Sequence, residues 1–521
     1  MIAHYNETVT LSARLHFLLL LAPLLVAAQD LKEFEKHVTE FTLANGTHFI
    51  ILERHQAPVV SFHTYVNAGA VDDPEGKTGL AHMFEHMAFK GTETIGSKNW
   101  PEEKKAMAAI EEVYDRLEQE RRKGPHADAK KIQTLEAEVK EAVEKADSYV
   151  VPNLYPTIIE ENGGVGLNAF TALDSTEFFY NLPANRIELW FLMESQRFLR
   201  PVFREFYKER DVVAEERRMR VESSPQGQLL EALTADAFEA HPYRRPPAGW
   251  ASDIQSLRVH DAEQFYKTYY VPANITMAIV GDVDPKQARA FADKYFGRLP
   301  AGPLPPLVHT VEPVQDGPRT VQVESPAQPF EVIAYKRPDQ YDKDDPVFDV
   351  ISSILSGGRT GILYKEMVRD KQIALAAEAE ANMPGSKYPS LFVFYVVPSL
   401  SHTIEENDKL LGQLIERFKN ETVDAEALTR VKTKTRASLI RRLDSNSDLA
   451  QLLTYYYVAY GDWRKLFTSI DDIEKVSAGD VQRVARKYFI NNGRTTGSGF
   501  QPAAASGAPS GQPAAQSGEK Q

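Results

Sequence analysis

An α+β fold made of two related units is predicted by three features of the sequence. Strand, turn and helix patterns alternate from the first globular residues onward, which is typical of this class. A proline-rich stretch at 300–306 interrupts the chain near its middle. A pattern near the end of the first half recurs 219 positions later in the second half, which favours an internal duplication. The matching residues are Leu257, Asp261, Phe265, Tyr269, Tyr270 and Val271, and then Val476, Asp480, Val484, Tyr488, Phe489 and Ile490.

The first half begins with strand signals and then a helix. Asn45 and Gly46 mark the turn of a hairpin between Phe41 and Leu52. Residues 59–67 are rich in β-branched and aromatic side chains and indicate a further strand. After the turn at Asp73-Pro74-Glu75-Gly76, a helix is predicted from about Thr78 to Phe89.

The domain boundaries follow from changes in composition. We expect a first domain at 29–299, the linker at 300–306 and a second domain at 307–495. Residues 101–148 carry two charged, amphipathic helical repeats and indicate a helical hairpin inserted in the first domain. This insertion is either a solvated structural element or a lid or docking arm. Residues 496–521 consist largely of Ala, Gly, Pro, Ser and Gln, so we expect a disordered tail.

The N-terminus indicates export. Arg14 precedes an uncharged, mostly apolar run at 15–28, and small residues stand before Gln29. This pattern predicts a signal peptide over residues 1–28 with cleavage near Ala28, and a periplasmic or secreted protein. An uncleaved anchor is the alternative. No later segment is apolar enough to cross a membrane, so the mature chain is expected to have no span.

The composition excludes several kinds of partner and site. The 60 basic and 73 acidic residues give a net charge of −13, which argues against nucleic acid as a partner. The chain has no cysteine, which rules out disulfides, thiolate nucleophiles and Cys-bound zinc. A metal site must therefore use histidine and carboxylate ligands.

The motif His82-Met83-Phe84-Glu85-His86 carries the strongest chemical signal. On a helix, His82 and His86 project from nearly the same face and can bind one Zn²⁺ per chain at about 2.0–2.1 Å each. Glu85 lies on the same side and can accept a proton from a zinc-activated water that attacks a peptide carbonyl. The alternative is a pair of histidines on a helix surface with no metal.

A third ligand is expected from the charged helix predicted over about 205–222. Glu209 and Glu216 stand seven residues apart, two turns along one face. Glu216 could complete a His₂Glu site, and Glu209 could orient a ligand or the water. Glu215 is a rival ligand a quarter-turn away, and a solvated acidic face is the plain alternative. Spacing alone leaves this choice open.

Three blocks of the chain resemble the pitrilysin/insulinase family of inverted zincin metallopeptidases. The first is the His82–His86 motif, preceded by Gly79-Leu80 and followed by Phe89-Lys90-Gly91-Thr92. The second is Asn168-Ala169-Phe170-Thr171 followed by Thr176-Glu177-Phe178-Phe179-Tyr180, which is similar to the substrate-binding edge strand of the family. The third is Glu209-Arg210-Asp211-Val212-Val213-Ala214-Glu215-Glu216, similar to the acidic helix whose last Glu is the third ligand.

The resemblance implies a fold and a set of roles. The chain length is similar to that of the mitochondrial processing peptidase-like branch, whose half-size chains hold two homologous domains, each a β-sheet covered by helices. It implies Glu216 as the third zinc ligand, and Asn168, Ala169 and Phe170 as residues that bind an extended peptide. It also implies that two such halves close around a chamber that admits short or unfolded peptides.

One departure from the family pattern bears on the partner. Family members use an Arg and a Tyr, seven residues apart, in the half that complements the zinc site. Here Arg369 stands in the similar stretch, but Ala376 occupies the position of the Tyr. We therefore expect a heterodimer with a separate Arg/Tyr-type, non-zinc subunit, and a homodimer is the alternative.

The function predicted from these residues is that of a zinc-dependent endopeptidase that cleaves short or unfolded peptides with Glu85 as general base. Glu209 would be the second catalytic residue, orienting a ligand or the water, and one zinc would be held by each chain. The alternative is a non-catalytic structural or chaperone-like subunit of the same family. A zinc hydrolase with a non-peptide substrate is a third possibility that no further sequence feature supports.

Overall fold

The fold consists of two β-sheets, each with its own set of helices. The computed structural model of the protein describes residues 31–325 and 327–500. The predicted α+β class is confirmed. The predicted signal peptide at 1–28 and the part of the predicted tail at 501–521 lie outside the described residues.

The first sheet has six strands in the order β1-β2-β6-β3-β5-β4. The β1–β2 pair is the hairpin predicted around Asn45 and Gly46. Strands β2 and β6 run parallel, while β6–β3, β3–β5 and β5–β4 are antiparallel. The strands are β1 (Val38–Thr42), β2 (His48–Glu53), β3 (Val59–Val66), β4 (Val165–Thr171), β5 (Thr176–Pro183) and β6 (Ile275–Gly281).

The second sheet repeats this arrangement with five strands in the order β7-β11-β8-β10-β9. Its one parallel pair, β7–β11, corresponds to β2–β6, and the remaining antiparallel pairs follow in the same succession. Strand β9 is the edge strand that corresponds to β4. The strands are β7 (Arg319–Glu324), β8 (Phe330–Arg337), β9 (Ala374–Met383), β10 (Ser390–Pro398) and β11 (Arg494–Phe500).

Helices cover both sheets. In the first unit they are α1 (Leu80–Met87), α2 (Trp100–Arg121), α3 (Ala129–Asp147), α4 (Leu154–Glu161), α5 (Ile187–Leu199), α6 (Phe206–Arg217), α7 (Pro225–Ala237), α8 (Ala251–Ser256), α9 (Val259–Tyr269) and α10 (Pro285–Tyr295). In the second unit they are α11 (Asp345–Ser356), α12 (Ile404–Asn420), α13 (Ala425–Asp444), α14 (Asn446–Tyr460), α15 (Lys465–Lys475) and α16 (Ala478–Tyr488).

The internal repeat extends further than the sequence match indicated. At the start of both helix α9 and helix α16, an Asp at the third helical position accepts the N–H of the cap residue. The same offset of 219 places β6, Ile275–Gly281, on β11, Arg494–Phe500. Residues 496–500, predicted as tail, are therefore part of a strand between β7 and β8. The prediction of a tail at these residues was wrong, because a strand can form here despite few hydrophobic side chains.

Glycine explains why this strand has so few apolar side chains. Helix α7 packs across β7 and β11, and a Cβ atom at Gly497 would lie 2.9 Å from Leu233 Cδ1. The leucine side chains of α7 thus lie directly on the backbone of Gly497, and Leu233 would have to shift to admit a side chain there. The strand is buried by its neighbours and not by its own hydrophobic residues.

One helix of each unit packs on the sheet of the other unit. Helix α7, from the first unit, buries Leu229 and Leu233 against the second sheet. Helix α14, from the second unit, buries Leu449 and Leu453 against β2 and β6 of the first sheet. The two units therefore share apolar faces that neither covers alone.

The predicted helical hairpin is formed by α2 and α3, which enclose a small apolar core of their own made by Val113, Leu117, Leu135 and Val139. Its base is tied to the body of the unit by the buried ion pair between Arg204 and Glu103, at 2.7 Å.

The segment that joins the units has no helix or strand over 300–318, which is longer than the predicted linker. Glu312 in this segment accepts the N–H groups of Glu239, Ala240 and His241.

Two truncations test the assignment of β11. Deletion of 501–521 should leave the melting temperature unchanged, because the strand remains intact. Deletion of 496–521 removes most of the pairs that β11 makes with β7 and β8, and should lower the melting temperature by more than about 10 °C or prevent folding. Differential scanning calorimetry distinguishes these results. Equal stability of the two truncated chains would contradict a structural role for 496–500.

Candidate metal centre

The helix that carries the histidine motif begins at a well-defined cap. Gly79 has φ = +88°, and a Cβ atom there would lie 2.7 Å from the carbonyl oxygen of Ala248. The buried carboxylate of Asp73 accepts the N–H groups of Gly79 and Ala81 at 2.7 and 2.8 Å. These bonds satisfy donors at the helix start that have no partner within the helix. The start of α1, and with it the direction of both histidines, is thus set by Asp73.

His82, His86 and Glu216 lie together where α1 packs on α6. One potential ligand atom from each lies within 4.8 Å of the other two. The Nε2 atoms of His82 and His86 are 3.6 and 3.7 Å from the two carboxylate oxygens of Glu216. Glu215 points elsewhere and forms an exposed ion pair with Arg218.

The donor set and its spacing fit a zinc ion. Ligands bound at about 2.0–2.2 Å around one tetrahedral zinc are separated from each other by about 3.3–3.6 Å. The observed separations of 3.6 and 3.7 Å are close to this range. Two imidazoles and one carboxylate also leave a fourth position open, as in catalytic zinc sites.

Glu209 contacts His86 at Nδ1, the ring nitrogen that does not face Glu216. One of its oxygens is 3.2 Å from His86 Nδ1, and the other accepts a hydrogen bond from Lys90. Lys90 also donates to Glu205 at 3.0 Å. The second ring nitrogen of His86 is therefore paired with a carboxylate, which fixes the orientation of the ring. The Nδ1 atom of His82 is buried and has no such partner among the described residues.

Burial and the neighbouring charges shift the pKa values of the groups in the site. Burial, together with the charges of His86 and Arg220, lowers the pKa of His82 to about 3, so this imidazole is neutral at neutral pH. Burial raises the pKa of Glu209, but its bonds with His86 and Lys90 outweigh burial and bring the pKa down to about 2. Burial lowers the pKa of His86, yet the bond with Glu209 and the charges of Glu216 and Glu85 raise it overall.

Glu85 lies beside the three potential ligands and near the edge strand. Burial raises the pKa of its carboxyl group, and a hydrogen bond from Thr171 at 2.7 Å partly offsets this. Thr171 is the last residue of β4. A carboxylate with a raised pKa is suited to accept a proton near neutral pH.

Strand β4 offers a free edge next to the site. It pairs with β5 on one side only and is the last strand of the sheet. Asn168 is exposed, Ala169 and Phe170 are half-buried, and Asn168 Oδ1 accepts the N–H of Ala169. A cavity of about 350 Å³ is lined by Asn168 and Ala169 together with Glu85, His86 and Glu209. An extended peptide could therefore add to this edge within reach of the carboxylates.

Three further residues act on the site and were given no role in the sequence analysis. Thr171 bonds to Glu85, Lys90 bonds to Glu209, and Arg220 Nη2 lies 3.3 Å from a Glu216 oxygen. Lys90 and Thr171 stand within blocks that resemble the family. Arg220 follows Glu216 by four residues, a spacing that places it on the same face.

Arg369 and Ala376, the two positions that bear on the predicted partner, lie apart from the candidate site. Arg369 is exposed and forms its ion pair with the adjacent Asp370. Ala376, seven residues later, lies exposed on β9. Neither residue contributes to the cluster around His82.

Two family models match this chain. Residues 49–120 and 148–249 match "Insulinase (Peptidase family M16)", and residues 256–435 match "Peptidase M16 inactive domain". The chain therefore belongs to peptidase family M16, the pitrilysin/insulinase family. The gap between the two segments of the first match contains helix α3 of the inserted hairpin. His82, Glu85, His86 and Glu216 all lie in the insulinase match and outside the inactive-domain match.

Curated relatives are similar over most of the chain. The zinc protease PqqE of Helicobacter pylori is 28% identical over 470 residues, which cover 87% of this chain and 91% of that protein. A probable mitochondrial-processing peptidase subunit beta of Arabidopsis thaliana is 22% identical over 86% of this chain and 76% of that protein.

Solved structures share the two-unit fold. A protease from Helicobacter pylori superposes with a TM-score of 0.74 at 26% identity, over 89% of this chain and 99% of that one. A Pseudomonas fluorescens structure described as a peptidase M16 inactive domain has a TM-score of 0.71 at 16% identity, over 90% and 98% of the two chains. Within residues 31–325 and 327–500, no helix is long and apolar enough to span a membrane.

Neighbouring glutamates of α6 provide a test of the ligand set. Glu216→Gln should weaken zinc binding by more than about 100-fold, because an amide is a poor replacement for an anionic ligand. Glu209→Gln should weaken it by about 10–100-fold, the range typical of a residue that orients a ligand. Glu215→Gln is the matched control and should leave the affinity unchanged. Competition with a chromogenic chelator measures all three, and a larger loss for Glu215→Gln than for Glu216→Gln would refute this ligand set.

Proposed function

We propose that this chain is the zinc-bearing subunit of an endopeptidase that cleaves short or unfolded peptides. The observation that carries the proposal is the cluster of His82, His86 and Glu216, with Glu85 beside it and a free strand edge next to it. Relatives named zinc proteases, and the M16 models that match the chain, support a peptidase. The inactive-domain description applies to 256–435, which contains none of these residues.

The residues divide the chemistry of peptide hydrolysis among them. Zinc, when bound by His82, His86 and Glu216, supplies a Lewis acid that lowers the pKa of a water and polarises a carbonyl. Glu85 takes the proton that the attacking water loses and delivers it to the amine as the C–N bond breaks. Glu209 keeps the ring of His86 in place through the bond to Nδ1.

Strand β4 is proposed to hold the substrate. The backbone of an extended peptide would pair with the outer edge of β4 around Asn168 and Ala169. The side-chain NH₂ group of Asn168 would add a further bond, while its Oδ1 accepts the N–H of Ala169. Backbone pairing is indifferent to side chains, so this mode suits many sequences. It requires that the substrate be extended, which excludes peptide bonds inside folded domains.

We further propose that a second subunit completes the active site. Arg369 is paired with its neighbour, and Ala376 has no group to stabilise charge on the substrate. An Arg/Tyr-type, non-zinc partner would supply these groups, and a homodimer is the alternative. The sequence at 1–28 supports a periplasmic or secreted location, and one structural relative, PqqL of Escherichia coli, is described as a periplasmic protease.

The role of Glu85 is tested by an isosteric substitution. Glu85→Gln should lower the cleavage rate of a quenched fluorescent peptide library by about 10²–10⁴-fold, because the proton acceptor is removed. Zinc content should stay at about one ion per chain, since Glu85 is not among the three ligands. The measurement uses tagged protein purified from its own cells, so that any partner remains bound, with Glu215→Gln as control. Undiminished cleavage by Glu85→Gln would refute the mechanism.

Comparing the chain made in a foreign host with the protein purified from its own cells tests whether a partner is needed. The chain produced alone in a foreign host should bind about one zinc but cleave the library at least about 100-fold more slowly than protein from its own cells, the loss expected when a charge-stabilising group is missing. Mass photometry on both preparations gives the assembly state. If the chain produced alone is a homodimer and cleaves as fast as the protein from its own cells, the active form is a homodimer and the proposed heterodimer is wrong.

A further inference from the structure

The second unit keeps the architecture of the metal site but not its ligands. Helix α11 follows β8 as α1 follows β3, and it packs on α13 as α1 packs on α6. The offset of 219 places Phe206, the first residue of α6, on Ala425, the first residue of α13. The region between α11 and α13 is therefore the counterpart of the region between α1 and α6.

A cavity occupies this counterpart position. It has a volume of about 350 Å³ and is bounded by Ser353 of α11, by Gly357 just after that helix, and by Arg430 and Lys434 of α13. Small residues thus stand where the first unit has the imidazoles of α1. We call this cavity the α11–α13 pocket.

The charge of the helix that lines the pocket is reversed relative to its counterpart. Helix α6 carries the acidic residues Glu209, Asp211, Glu215 and Glu216. Helix α13 has only Glu426 and Asp444 as acids, and its six basic residues are Arg430, Lys432, Lys434, Arg436, Arg441 and Arg442. In a chain whose net charge is −13 this is a strong local concentration of positive charge.

Two of the cations that line the pocket have no carboxylate partner. Arg417 pairs with Glu366, and Arg430 pairs with Glu426 at 3.1 Å. Lys365 and Lys434 form no ion pair within the described residues.

Acidic residues contribute little to the pocket. Of its two acidic residues, Asp424 accepts the N–H of Ala427 at the start of α13, and Glu421 is solvent-exposed. Apolar side chains form the remaining wall: Ile354, Ile362, Phe418, Val423 and Val431.

We propose that the α11–α13 pocket binds acidic segments of the peptide substrate, with Lys365 and Lys434 pairing with substrate carboxylates. The apolar wall fits the methylene groups and neighbouring side chains of a peptide better than it fits a small inorganic anion. The pocket thus makes acidic peptides the preferred substrate class. This inference rests on the proposed peptidase function, because it takes a peptide as the ligand.

Binding to an inactivated enzyme tests the pocket independently of catalysis. The probes are two fluorescently labelled decapeptides, one with four Glu residues and one with four Gln residues in their place. They are titrated against zinc-loaded full-length Glu85→Gln protein by fluorescence anisotropy. The acidic peptide should bind more tightly, and Lys365→Met/Lys434→Met should weaken it by about 3- to 30-fold, the effect of two partly screened ion pairs. Affinity for the Gln peptide should not change.

A control pair separates the pocket from net charge. Lys286→Met/Lys409→Met removes the same charge from exposed positions on α10 and α12 and should leave both affinities unchanged. Lys434→Glu should weaken acidic-peptide binding further, and thermal unfolding shows whether each variant is folded. Equal losses in the two double variants, or equal affinity of the two peptides for the parent protein, would overturn the proposal. Cleavage of the Gln peptide by the active enzyme would still support the peptidase function in that case.

Discussion

The packing of α1 on α6 is the contact on which the candidate site depends. The potential ligands His82 and His86 come from one helix and Glu216 from another, so the site exists only while these helices keep their mutual position. Arg204, in the turn just before α6, helps to hold them. Its guanidinium donates to Glu103 and to the carbonyl oxygens of Lys90, Thr92 and Ile95, which follow α1 in the chain. Loss of one partner in such a buried pair typically costs about 3–5 kcal/mol.

The same arginine links the inserted hairpin to the site. Glu103 belongs to the first turn of α2, so the base of the hairpin and the segment after α1 share one buried cation. Lys90 then bonds to Glu205 and Glu209, next to the histidines. A continuous set of ion pairs and hydrogen bonds therefore leads from α2 to His86. The hairpin is joined to the centre by direct contacts and is not a free appendage.

Local spacing made the core of the site predictable, whereas long-range packing did not. The four-residue spacing of His82 and His86 and the seven-residue spacing of Glu209 and Glu216 are helical periods, which sequence expresses directly. The choice between Glu216 and Glu215 needed the direction of α6 relative to α1. The strand at 496–500 was missed because Gly497 is buried by α7, a helix from the other unit. The bond from Thr171 to Glu85 likewise depends on the sheet edge lying over α1. No sequence period encodes such contacts.

The exchange of α7 and α14 between the two sheets limits how this chain can move. Any rotation that parted its units would expose Leu229 and Leu233 on one side and Leu449 and Leu453 on the other. Exposing each of these side chains costs about 1.5–3 kcal/mol of free energy, which opposes that motion. The chain therefore behaves as one stiff body rather than as two jaws. In the two-subunit enzyme proposed above, a chamber that opens and shuts would therefore hinge between the chains, and the affinity between subunits would set how readily a peptide enters.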